Sequence, residues 1–168
     1  MVSTLQMRDG DTSRLAHIFV WVLKKLSDFG KGWRVVHFIQ LIDRVLAHEF
    51  THALVREIAS HGVPAWLNEG LATALESGDL GWAEHRVREA GTPVALEALA
   101  SSFGRLSGGQ AQLAYAKSAL AVRQMIDEAG GPAVVNLLRD LGDGVSFETA
   151  FAHRMQRAFG DFQASLRW

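Results

Sequence analysis

The chain contains no cysteine. That excludes a disulfide framework and any closed structural zinc site built on thiolates. It has no long lysine or arginine run, and its formal net charge is −1, which argues against nucleic acid as an obligate partner. It has no long apolar run either. The longest, Ile18 to Leu23, falls far short of the roughly 20 residues a membrane-spanning helix needs. Asp9 and Asp11 precede that run and no clear cleavage site follows, so no secretory signal is expected. Internal repeats and low-complexity tracts are also missing. What remains is a chain of 168 residues with 48% hydrophobic and 21% charged residues. It can bury a core and suits one domain or two small lobes. These features predict a soluble protein and leave its compartment and oligomeric state undefined.

The strongest positive signal is His48-Glu49-Phe50-Thr51-His52, an H-E-x-x-H pattern. On a helix, positions i and i+4 share a face, so His48 and His52 can offer imidazoles to one metal ion, and Glu49 can reach a water bound there. Alone the pattern is weak. It arises by chance in roughly one chain of this length in two hundred, and a solvated helix with two histidines explains it equally well. Context strengthens it. Asp43 is a plausible N-cap, and 44–60 contains neither glycine nor proline. His61-Gly62-Val63-Pro64 supplies a stop. Leu46, Phe50, Ala53, Leu54 and Ile58 form one apolar face, with Val45 and Val55 beside it, which predicts a helix covered on several sides.

Catalytic zinc usually takes three protein ligands and leaves one position for water. The segment from Pro64 to Ala72 reads as the start of a second helix, and Glu69 lies early in it. A helix, a sharp turn and a returning helix can bring Glu69 over the two histidines. A glutamate favoured by the helix dipole is the competing explanation. The remaining histidines, His17, His37, His61, His85 and His153, have no partner at ligand spacing. They read as surface or satisfied core residues, although His153 could approach the site from the C-terminal helices. Glu76, further along the second helix, reads as solvated or as an outer partner of the site.

Val45 to Leu54 resembles the active-site helix of the gluzincins, the thermolysin-like zinc peptidases. Trp66-Leu67-Asn68-Glu69-Gly70-Leu71-Ala72 resembles the N-E-G-x-A segment of the peptidase MA-like group in that clan. Ala114 to Ser118, Val122 to Gly131 and Phe147 to Trp168 resemble the later helices of that group, so the likeness covers about 43–168. It implies His48, His52 and Glu69 as ligands of one Zn2+ and Glu49 as general base. It also implies that Tyr115, the only tyrosine, donates to the developing oxyanion. A half-buried helix tyrosine without such a role is an equal reading of Tyr115. Thr73 stands where thermolysin-like enzymes often place an aspartate behind a zinc-bound histidine, so that orientation must come from elsewhere. No G-x-M-x-N segment precedes the helix, so nothing supports an aminopeptidase that reads the substrate amine with that motif.

The expected fold is α+β, predominantly α, and zincin-like, forming one metallopeptidase domain over 1–168. His17 to Leu23 and Trp33 to Ile39 are rich in β-branched and aromatic residues and predict a short N-terminal hairpin, with a helix over 15–26 as competitor for the first. Residues 1–42 match the family poorly. A helical lobe then follows: helices over 82–90, 93–100, 110–129, 132–141 and 146–159, with a loop over 101–109. The function this predicts is zinc-dependent hydrolysis of a peptide or protein substrate. The alternative is a zinc-binding interaction or regulatory module without catalysis.

Overall fold

A computed structural model describes residues 34–76, 78–91 and 95–166, with side chains from Leu41 onward. Seven α-helices occur in this span: α1 (Arg34–Ile58), α2 (Ala65–Glu76), α3 (Gly81–Ala90), α4 (Gly108–Ala129), α5 (Gly131–Gly142), α6 (Phe147–Met155) and α7 (Phe159–Ser165). Short 3-10 turns at Leu96–Leu99 and Phe103–Arg105 join α3 to α4. Chain contacts divide the molecule at Asp43, and the unit Arg44–Trp168 holds the candidate site.

No strand occurs among the described residues, so the class is all-α, not α+β. The predicted second strand over 33–39 is overturned, because its residues from Arg34 onward form the first turns of α1. The predicted first strand, 17–23, lies outside the described residues. Val35, Val36 and Ile39 carry β propensity, but that preference is context-dependent and weak. No glycine or proline interrupts 34–58, so the downstream helix extends back through them. Asp43 is therefore an interior helical residue and not an N-cap.

Burial on α1 also departs from expectation. Leu46, Phe50 and Leu54 are 53%, 64% and 46% exposed, whereas Thr51, Val55 and Ala59 are buried. The covered face is the one carrying small and β-branched residues. Gly62, at φ +79°, makes the turn that sends the chain back into α2.

The core of the unit sits around α4, against which α2 and α3 pack most extensively. Met125, Val122 and Ala121 of α4 meet the buried Trp66 and Leu67 of α2, Leu137 and Leu141 of α5, and Phe151 and Phe162 of α6 and α7 in one cluster. The Ser107 backbone N–H donates to Gln110 Oε1 at 3.1 Å, fixing the entry to α4. The helix predicted over 146–159 is broken, with Gln156 in the left-handed region at φ 56°. The break turns Phe159 back to stack on Trp66 at 5.7 Å and to meet Phe151 at 5.1 Å. Burying three aromatic rings outweighs one residue of backbone strain. The helix expected over 93–100 appears only as the Leu96–Leu99 turn, and 92–94 lie outside the described residues. No helix of the described residues is long and apolar enough to cross a membrane.

Candidate metal centre

His48 and His52 lie one turn apart on α1, and Glu69 lies in the second turn of α2. The structure brings these three together. Glu69 Oε2 is 3.8 Å from His48 Nε2 and 3.6 Å from His52 Nε2. One ligand atom from each residue lies within 4.8 Å of the other two. Tetrahedral coordination with bonds of about 2.0–2.1 Å puts donor atoms roughly 3.3 Å apart, so small side-chain rotations would seat an ion here. The three donors are partly buried, with side-chain exposures of 20%, 16% and 23%.

The outer nitrogens are also occupied. His48 Nδ1–H donates to Glu76 Oε2 at 2.6 Å, and His52 Nδ1–H donates to Asn68 Oδ1 at 3.0 Å. With Nδ1–H donating in this way, each ring turns its Nε2 toward Glu69, the nitrogen that a neutral imidazole offers to a metal. Two nitrogens and one carboxylate oxygen form a donor set suited to zinc, and they leave a coordination position open. All three α2 groups, Asn68, Glu69 and Glu76, belong to one helix of 12 residues.

The partner of His48 answers the question raised by Thr73. Thr73 is buried and contributes no carboxylate, while Glu76 reaches the histidine from one turn further along. Glu69 and Glu76 are two helical turns apart and so share a face, a spacing readable in the sequence.

Without a metal, burial disfavours the charged form of His48. Hydrogen bonds to Glu69 and Glu76, and the charges of both carboxylates, outweigh it and raise its pKa from 6.5 to about 9.

Tyr115 reaches the site from α4. It gets there because α2 and α4 approach closely at Gly70. A Cβ on Gly70 would stand 2.5 Å from the Ser118 carbonyl oxygen and 2.8 Å from Val122 Cγ2. That contact sets Tyr115, one turn before Ser118, beside Glu69. Burial raises the Tyr115 pKa, and the charge of Glu69 and a hydrogen bond to it raise it further. The charge of Glu49 acts in the same direction. Glu49 is partly exposed on α1, next to His48.

Residues 35–162 match the family profile of the Peptidase MA superfamily. The chain belongs to this superfamily. The match spans every residue of the site, from His48 through Tyr115. No curated protein and no solved structure matches the chain. Within this Peptidase MA unit His61, His85 and His153 are not part of the donor cluster. His61 and His85 are exposed, and His85 Nδ1 lies 3.5 Å from Glu89 on its own helix. His153 does not join the site; it lies 4.0 Å from Asp140, which Arg154 holds with two hydrogen bonds of 2.6 and 2.7 Å.

Proposed function

We propose that the chain is a zinc-dependent peptidase whose ion is held by His48, His52 and Glu69. The carrying observation is the pair of outer hydrogen bonds, from His48 to Glu76 and from His52 to Asn68, which turn both Nε2 atoms toward Glu69. A chance H-E-x-x-H has no reason to carry such partners.

Bound zinc would polarise a scissile carbonyl and acidify a water. Glu49 takes a proton from the attacking water as its oxygen bonds to the carbonyl carbon, and returns it to the amine nitrogen as the C–N bond breaks, a general base followed by a general acid. Tyr115 donates its hydroxyl hydrogen to the carbonyl oxygen as that oxygen gains negative charge. Glu76 and Asn68 keep the two imidazoles oriented throughout. The substrate class is peptide or protein.

The test combines metal analysis with digestion of a broad peptide library. The expected result is one zinc per chain, lost in His48→Ala, with cleavage that a chelator abolishes and zinc restores. Glu49→Gln should keep the zinc and lose at least about 100-fold in rate. Stoichiometric zinc with an intact library would overturn the peptidase reading in favour of a non-catalytic zinc module.

A further inference from the structure

Tyr115 sits half-buried at the edge of the metal cluster with one aromatic neighbour among the described residues. Phe103 meets it edge-to-face, with ring centroids 5.2 Å apart and planes at 81°. Phe103 is buried, and the turn that carries it is fastened on both sides. Ser102 Oγ accepts from the Gly104 N–H at 3.3 Å, and the Leu106 N–H donates to the Phe103 carbonyl at 3.0 Å. The turn packs against α4, the helix that carries Tyr115.

A partly covered tyrosine has a choice of staggered rotamers. A phenol hydroxyl is satisfied as well by water as by a carboxylate such as Glu69. Hydrogen bonding alone therefore does not select the inward rotamer. A fixed ring does. Edge-to-face contact has a preferred geometry, and leaving it forfeits both the ring contact and the apolar burial. The Gly70–Ser118 approach sets where the Tyr115 backbone lies, but not which way its ring turns.

We infer that Phe103 is a positioning residue that, through ring contact, holds the Tyr115 phenol against the metal-ligating Glu69. The inference rests on the reading that Tyr115 serves the metal site. It assigns a role in that site to the 3-10 turn Phe103–Arg105, which contributes no ligand.

Tyr115 is the only tyrosine in the chain, so tyrosine labelled with carbon-13 at the phenol carbon gives a single resonance. Zinc chloride is titrated into the metal-free protein and that resonance is followed. In the unsubstituted protein it should lie away from the free-tyrosine position and move as Glu69 engages the ion. In Phe103→Leu, which keeps apolar volume but removes the ring, it should lie near the free position. Its response to zinc should fall about threefold or more, while zinc still binds at one per chain. Phe103→Met takes the place of Phe103→Leu if the latter loses cooperative melting. An unchanged resonance and zinc response in the substituted protein would sink the inference. Peptide hydrolysis supplies the second readout. Phe103→Leu should lower kcat about 3- to 10-fold with little change in KM when Tyr115 is present, and leave the rate of Tyr115→Phe unchanged. Equal losses in both backgrounds would make Phe103 merely structural. If no peptide is cleaved, the peptidase reading fails, and the resonance still decides the role of Phe103.

Discussion

His48 is hydrogen-bonded at one ring nitrogen and faces a second carboxylate with the other. Its folded pKa of about 9 lies above the ordinary 6.5, so protonation stabilises the metal-free fold. That contribution is fully present below pH 6.5 and is lost as pH rises through about 9. Metal-free protein should melt at a lower temperature at pH 9.5 than at pH 6.5, and His48→Asn should remove much of the difference. Zinc needs the neutral ring, so its affinity should weaken about tenfold for each pH unit below about 9, with proton release on binding near neutral pH. Competition with a chromogenic chelator across that range measures the slope. The same residue predicts the effect of Glu76→Gln. Losing the carboxylate behind His48 should weaken zinc binding by roughly 10- to 100-fold with the fold intact. An affinity unchanged within twofold would mean that Glu76 does not orient the histidine.

Two elements, α2 and α4, meet at Gly70. A methyl group there would run into a backbone carbonyl, which cannot give way as a flexible side chain could. Gly70→Ala should destabilise the unit by about 1–3 kcal/mol, and it should also move Tyr115 away from Glu69. Chemical denaturation measures the first effect and the tyrosine resonance the second. On α1, Leu46→Gln should change stability by less than about 0.5 kcal/mol because Leu46 is exposed. Val55→Ala should cost about 1–3 kcal/mol because Val55 is buried. This ordering reverses the sequence expectation, and the reason is physical. Helical periodicity identifies an apolar stripe but not the surface it meets, so Leu46, Phe50 and Leu54 were indistinguishable from a core face. The ligands were easier to read. His48 and His52 are fixed by one helical turn, and Glu69 by a capped turn and a returning helix. Glu76 reads from the sequence either as solvated or as an outer partner of the site, and its pairing with His48 was not legible because that contact depends on how α1 and α2 cross. The prediction of a second strand failed over 34–39 for a related reason. Local β propensity there is overridden by a helix that begins at Arg34 and runs unbroken through both histidines.

Across the unit Arg44–Trp168, α2 and α3 are seated on α4 by buried side chains, whereas the described part of α1 buries Thr51 and Val55, with Ile58 partly covered and Ala59 buried just past its end. Among the described residues, the polar links from His48 and His52 to α2 add to the approach of Ile58 to Gly142 of α5 in holding the second half of α1. An ion at the site would tie α1 to α2 directly. Zinc at about 100 times its dissociation constant should stabilise the folded state by roughly 2.7 kcal/mol, and the melting temperature should keep rising with zinc concentration. Scanning calorimetry at several zinc concentrations checks this, with His52→Ala as the control. Hydrogen exchange should show the added protection concentrated in the second half of α1.

The division of the ligands between two helices also governs how long an ion stays. Two donors come from α1 and one from α2, and Asn68 and Glu76 brace the α1 donors from the α2 side. Full release then needs donors on both helices to let go together. Losing the single α2 donor in Glu69→Gln should therefore shorten the residence time of the ion in stopped-flow release experiments, and an unchanged residence time would mean that Glu69 does not hold it.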